Sequence, residues 1–283
     1  MNDKDINIIK YSGKKVKFSS NKLYTSLKRT GAEDAIVNQI INRVISELYE
    51  GISTKEIYNR AFALLKKKES HLASKYKLKK AIYELGPTGF PFERFVAAIL
   101  KYSGFNIEVG KTLNGKCVTH EIDVIANKNN ETTIIECKFH GEQGLNCNVK
   151  IPLYINSRYT DVKTHWEKNN KTRNILAKGW VVTNTRFTAD AIKYGNCCGL
   201  YLLSWDYPKN NALKDRIDRL GLYPITVSTL LTKREKQFLL NRNVVLCRDL
   251  IDDVFYFDHL GISNIRKEKI LNEIKQLCTN KNH

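Results

Sequence analysis

The chain has 283 residues, 42% of them hydrophobic and 27% charged, with a formal charge of +18 from 47 Lys and Arg against 29 Asp and Glu. That composition belongs to a folded chain of roughly two domains and excludes a disordered one. The charge excess favours a polyanionic partner, nucleic acid ahead of an anionic membrane.

No apolar run approaches the ~18 residues of a membrane span. The first residues, MNDKDINIIKYSGKK, lack the apolar core of a signal peptide. A cytoplasmic protein with no membrane partner is expected. The seven cysteines are odd in number and show no CxxC pair, so they read as reduced thiols. The sequence leaves a homo-oligomer open.

INIIKYSGKKVKF alternates and reads as two short strands around a turn at Ser12-Gly13-Lys14. Helical periodicity follows in SNKLYTSLKRT, and then in AIVNQIINRVISELYE, which stops at Gly51. Ser53-Thr54-Lys55-Glu56 predicts a capping box for the next helix, which carries Ile57, Phe62, Leu64 and Leu65. HLASKYKLKKAIYEL ends at Gly86-Pro87, a helix stop and a plausible linker.

FPFERFVAAILKYSGF predicts a helix with Pro91 in its first turn, and Phe92, Phe95, Val96, Ile99 and Leu100 on one face. NIEVGKTL, VTHEIDVIA and TTIIECKF read as strands, and a polar helix is expected around NSRYTDVKTHWEKNN. GWVVTN, FTADAIKYGNCCG and LYLLSW continue as strand, helix and strand, an order that implies a parallel crossover. Cys197 and Cys198 are expected to pack within that helix. Beyond Pro208 the chain becomes helical and basic. Thr232 to Glu235 predicts a second capping box, and VVLCRDLIDDVFYFDHLG with SNIRKEKILNEIKQL a helix pair joined at Gly261.

Two of these strands carry charges in mid-run: Asp123 in EIDVIA, and Glu136 with Lys138 in TIIECKF. A buried charge is costly unless it is paired or bound to a metal. Alternation puts Glu136 and Lys138 on one face with Ile134, and Asp123 with Glu121 and Ile125. If Asn127 pairs with Thr132, the loop is Lys128-Asn129-Asn130-Glu131 and Asp123 falls opposite Glu136; an odd loop would put them on opposite faces. Two carboxylates facing each other call for a cation, and oxygen ligands alone suit Mg²⁺ or Mn²⁺. With Lys138 beside them the parts fit phosphodiester hydrolysis. The plainer alternative is a hairpin edge with one solvated, charged face. His120 and His140 flank the strands, and Arg158 and Lys163 on the following helix could meet DNA.

Asp123 followed at this spacing by Glu136-x-Lys138 resembles the PD-(D/E)xK nuclease core. GFPFERFVAAILKYSGFNIEV before it and KGWVVTNTRFTADAIKYGNCCGLYLLSWDYP after it are similar to the Mrr-type restriction endonucleases. The resemblance implies Asp123 and Glu136 on the metal, Lys138 as a catalytic group, and a helix carboxylate at Glu93. Glu136 stands where Gln is common in that branch.

IIKYSGKKVKFSSNKLYTSL, LYEGISTKEIY and HLASKYKLKKAIYELG resemble the ATP-cone, the regulatory nucleotide-binding module best known from ribonucleotide reductases. That resemblance implies a strand hairpin over four helices that binds ATP or dATP, with contacts at Lys10, Lys22 and Thr54, and further ones at Lys14 and Lys77. Val16 stands where the family often has a carboxylate. No GxxxxGK[ST] loop is present, so ATP hydrolysis is not indicated. The alternative is a basic helical module that meets DNA phosphates.

The expected fold is α/β (α+β) in three regions. Residues 1–86 form the mainly helical ATP-cone. Residues 87–210 form a restriction-endonuclease-like mixed sheet flanked by helices, and residues 211–283 a helical region that could contact DNA or a partner. The expected activity is Mg²⁺-dependent DNA cleavage regulated by ATP or dATP. The rival is a non-cleaving, nucleotide-responsive DNA-binding regulator.

Overall fold

A computed structural model describes residues 6–169 and 175–279. The chain starts as an antiparallel hairpin, β1 (Asn7–Ile9) and β2 (Lys15–Lys17), followed by α1 (Ser20–Lys28), α2 (Asp34–Ser46), α3 (Thr54–Lys68) and α4 (Ser70–Tyr83). Val37, Ile40, Ile41 and Val44 recur at helical spacing along α2 and are all buried against Leu27, Ile52, Ala61 and Leu65. The hairpin is tied to the start of α3, where the Ile9 N–H donates to the Ile52 carbonyl at 3.0 Å.

Only half of the first expected capping box forms. The Glu56 N–H donates to Ser53 Oγ at 3.0 Å, but the Glu56 carboxylate accepts from Tyr49 Oη at 2.8 Å and from Arg60 at 2.6 Å. A charged guanidinium and a phenol outcompete one backbone N–H. The second box, Thr232 with Glu235, is complete.

Next come α5 (Phe90–Tyr102), β3 (Asn106–Asn114), β4 (Thr119–Lys128), β5 (Glu131–Lys138), β6 (Asn146–Cys147), α6 (Lys150–Asn169), β7 (Ile175–Thr183), β8 (Arg186–Phe187), α7 (Ala189–Cys197) and β9 (Tyr201–Leu203). The main sheet is mixed, ordered β3-β4-β5-β7-β9, with β3, β4 and β5 antiparallel and β5, β7 and β9 parallel. The apolar face of α5, Phe92, Phe95, Val96, Ile99 and Leu100, is buried in the core that holds Val124, Ala126, Ile135 and Val182. On α6, Val162 packs with Ile122, Ile125, Ile134 and Leu176. Helix α6 starts well before the expected segment, and the last residue of that segment, Asn170, lies outside the described residues. Cys197 and Cys198 are exposed rather than packed.

The C-terminal part is helical: α8 (Leu213–Leu220), a 3₁₀ turn (Ile225–Val227), α9 (Lys233–Leu240), α10 (Asp249–Asp252), α11 (Phe255–His259) and α12 (Asn264–Cys278). The expected long helix before Gly261 is therefore two short ones, broken where Asp253 turns extended at φ −132°. With twelve α-helices and one five-stranded mixed sheet among the described residues, the fold is α+β.

Helix α4 serves two cores. Leu72 and Ala73 belong to the N-terminal cluster. Leu78, Ala81 and Ile82, with Leu85 just past the helix end, join α5, the sheet and the C-terminal Ile225, Leu239, Ile270 and Ile274. A buried carboxylate fastens this junction. Glu273 on α12 accepts from Ser70 and Ser74 of α4 at 3.0 and 2.7 Å, and from the Ser228 and Thr229 hydroxyls at 2.6 and 2.8 Å.

Candidate functional site

The β4–β5 hairpin turns on Asn129 and Asn130, both at positive φ (52° and 62°), as a two-residue hairpin turn demands. Asn127 pairs with Thr132, and the ladder continues one step further, to Lys128 with Glu131. This even register aims Asp123 at Glu136. The ladder itself stops one pair short, at Val124 with Ile135. On its other side β4 pairs Val124 with Val109 and Ile122 with Lys111, skipping Asp123 and Gly110, and Gly110 sits at φ 63°. Ile122 and Ile125 then pack in one cluster while Val124 faces the other. Strict alternation thus resets at Asp123. Freed from regular pairing, its Oδ2 accepts the Cys137 N–H at 2.6 Å.

Glu136 is 7% exposed. Its Oε2 accepts from Arg158 Nη1 at 2.8 Å, and its Oε1 is buried with no partner. Arg158 also donates to the Glu121 carbonyl and lies over the Tyr154 ring. Glu93 comes in from the first turn of α5 beside Gly89, where a Cβ would approach Glu93 Oε1 to 3.2 Å. Any side chain at residue 89 would press on that carboxylate.

These carboxyls sense one another. Burial, then the charges of Asp123 and Glu93, push Glu136 up to about 8. The Arg158 ion pair opposes this and loses, because desolvation of a nearly enclosed carboxylate outweighs one guanidinium contact. Burial, then Asp123 and Glu121, push Glu93 up to about 7. Asp123 is raised as well, by burial, against the Cys137 N–H and the charges of Arg158 and Lys138. Lys138 is exposed at the end of β5. Glu93, Asp123 and Glu136 are thus electrostatic neighbours. Among the described residues, however, no group of three or more His, Cys, Asp or Glu side chains is arranged to hold a metal ion.

The flanking residues have structural partners. His120 Nε2 and Asp161 Oδ2 lie 2.8 Å apart, and Asp161 also accepts the Cys117 N–H at 2.9 Å, which clasps α6 to the β3–β4 turn. His140 is held by Asn184 through its backbone. Arg158 is spent on Glu136, and Lys163 pairs loosely with Glu167 at 3.7 Å. The inward role of Arg158 carried no signal in the sequence beyond its place on a polar helix.

In the N-terminal region, the β1 contact with the start of α3 brings the hairpin that carries Lys10 and Lys14 against Thr54. Lys22 is exposed on α1. Lys77 is engaged elsewhere: it donates to Glu84 at 2.8 Å and to the Thr226 carbonyl at 2.9 Å, because α4 turns that face to the C-terminal helices.

Residues 6–84 match the ATP cone domain family. Residues 223–278 match the family described as AF1548-like, C-terminal. An uncharacterized protein of Archaeoglobus fulgidus is 30% identical over 183 residues, which is 64% of this chain and 99% of that protein. The chain belongs to the family of that archaeal protein. The crystal structure of AF1548, a protein of unknown function, is similar at 29% identity and a TM-score of 0.55, over 68% of this chain and 98% of its own. The restriction endonuclease MspJI in complex with a 27-mer oligonucleotide is 12% identical, at a TM-score of 0.30 over 84% of this chain and 47% of its own. A likeness so remote supports no conclusion. No helix among the described residues is long and apolar enough to cross a membrane.

Proposed function

We propose that the protein is a metal-dependent DNA endonuclease of Mrr type, regulated by ATP or dATP at its cone. The observation that carries this reading is the meeting of Glu93, Asp123 and Glu136, from a helix and two strands, with carboxyls raised by burial and by each other. A fold gains nothing from gathering such charges, and strongly perturbed groups in one place mark functional sites. The buried, unpartnered Oε1 of Glu136 and the all-oxygen donor set fit a hard cation. Asp123 and Glu136 would hold Mg²⁺ or Mn²⁺. Such an ion supplies Lewis acidity toward a phosphoryl oxygen and lowers the pKa of bound water. Lys138, exposed beside Asp123, would stabilise developing negative charge. Glu93 would orient a proton or a water at the rim. The +18 chain supplies affinity for the polyanion.

The N-terminal region would bind nucleotide through Lys10, Lys14, Lys22 and Thr54. The chain would divide into a cone over residues 1–86, the sheet region over 87–210 and the helical region over 211–283. The junction of α4 with both cores gives the cone a mechanical route to the rest.

A second reading has its own observation. Arg158 already contacts Glu136 at 2.8 Å, an arrangement that a non-cleaving DNA-binding regulator could keep. Incubation with plasmid DNA and Mg²⁺, with and without EDTA, separates the two. Cleavage that EDTA stops, and that Asp123→Asn or Lys138→Ala abolishes while DNA binding persists, is expected. DNA binding with no cleavage at any Mg²⁺ or Mn²⁺ concentration would establish the regulator.

A further inference from the structure

A recess of about 250 Å³ opens between the cone and the C-terminal helices. Lys66 of α3, Lys77 and Lys80 of α4, and Lys236 of α9 line it, with Tyr58 and Phe62 of α3 as an aromatic wall. Tyr58 is stacked between Phe62 and Tyr76, with ring centroids 6.2 and 5.0 Å away. Its hydroxyl is buried without a partner.

Of the four ammonium groups, Lys77 is matched by Glu84. Lys236 donates to the Ser228 carbonyl, which carries no net charge. Lys66 and Lys80 make no ion pair among the described residues. Burial, then the charge of Lys77, pushes Lys236 down to about 8. Lys66 and Lys80 are exposed and carry solvated charge, whereas Lys236 lies partly buried beside Lys77, with Glu84 and Glu273 opposing the charge of that pair; an anion in the recess would face all four ammonium groups.

We propose that this recess is a second anion site, taking a di- or triphosphate group whose binding clamps the cone to the C-terminal helices. Lysines placed as separate point charges around a small cavity suit phosphate oxygens. The volume lies just below that of common drug-sized ligand pockets. It admits a short polyphosphate and shuts out a nucleic-acid duplex. Of the residues expected to hold the cone's nucleotide, Lys77 lines the recess, whereas Lys10, Lys14, Lys22 and Thr54 do not, so the recess is separate from the hairpin. Its far wall includes Ser228 and Thr229, the residues held by Glu273 of α12. An occupant would therefore bear on the same junction that joins α4 to α12.

The group could be a free polyphosphate or the tail of a nucleotide, and the test has an arm for each. Tripolyphosphate is titrated into the full chain by calorimetry, in the wild type, in Lys66→Ala/Lys80→Ala and in Lys22→Ala. Both recess lysines are exposed, so the double variant should keep the wild-type thermal midpoint without ligand. One equivalent of tripolyphosphate should bind at least tenfold more weakly in the double variant and within twofold of wild type in Lys22→Ala. Competition by ATP for that equivalent assigns the group to a nucleotide tail, and lack of competition assigns it to free polyphosphate. Tripolyphosphate should also slow acylation of Lys66 and Lys80 by an amine reagent, a readout that needs no variant. No heat at millimolar tripolyphosphate, unchanged affinity in the double variant, equal loss in Lys22→Ala, or unprotected lysines would each overturn the site.

Discussion

Replacing Glu136 by Gln should flatten the dependence of stability on pH. The Glu136 carboxyl titrates at about 8 in the folded chain and near 4.3 when unfolded. Between those values the folded state holds a proton that the unfolded state has released. Stability is then greatest on the acid side, falls as pH rises, and levels off above the folded value. The slope is at most a factor of about ten in the folding equilibrium per pH unit, and the ceiling over the whole window is about 5 kcal/mol. Glu93, raised to about 7, adds a slope of the same sign. Its contribution is smaller because it is only half buried, and it remains in the variant. The substitution is clean in one respect: the Gln carbonyl can still accept from Arg158, so the guanidinium keeps a partner while the charge disappears. Urea unfolding at pH 5.5, 7 and 8, in EDTA, measures both slopes. The wild type should lose stability more steeply than Glu136→Gln across that range. Parallel slopes would mean that Glu136 is ionised throughout, held by Arg158, and that burial is not the dominant influence on it.

Three other outcomes are expected. Lys22→Ala should weaken ATP or dATP binding by roughly tenfold, because a triphosphate loses one charge-assisted contact; calorimetry on the full chain checks it, and unchanged affinity would count against the hairpin as the nucleotide site. A chain cut after Gly86 should unfold at a lower temperature than the cone does within the full protein. Leu78, Ala81, Ile82 and Leu85 would lose their cover, at about 1.5 to 3 kcal/mol for each large side chain, and equal midpoints would contradict the shared core. Glu273→Ala should cost at least about 3 kcal/mol, since several buried hydroxyls lose one acceptor together; a urea midpoint within experimental scatter of wild type would remove Glu273 from its role as the fastener.

What could be read in the sequence was what short-range chemistry decides. The Asn129-Asn130 turn fixes the parity of the hairpin as far as Val124 and Ile135, so the bringing of the Asp123 and Glu136 segments side by side follows from a handful of neighbouring residues. Helix α5 showed its buried face by spacing alone, and the carboxylates in mid-strand announced themselves by their cost. The rest depended on partners far away in the chain. Nothing local marks Gly110 as the place where β3 lets go of Asp123. Nothing in α6 shows that Arg158 turns inward to Glu136 rather than outward to a polyanion. Lys77 sits in a helix whose pattern looks complete by itself, yet its partners are Glu84 and the Thr226 carbonyl. The C-terminal helices were legible as helices, and their packing into the core of α5 and the sheet was not.

That division bears on the site itself. Local pattern placed the acidic groups, whereas tertiary structure supplied the guanidinium that balances one of them. Under the proposed function, Arg158 and a cation would compete for the same carboxylate. Whether Glu136 presents one free oxygen or two is then set by how firmly α6 is held, and the His120–Asp161 clasp holds it. Loosening that clasp with Asp161→Asn should weaken the hold of α6 on the β3–β4 turn and free Arg158 from Glu136. Manganese affinity, read by the paramagnetic relaxation of water, should then rise relative to wild type. Unchanged or lower affinity would show that Arg158 is not in competition with the ion.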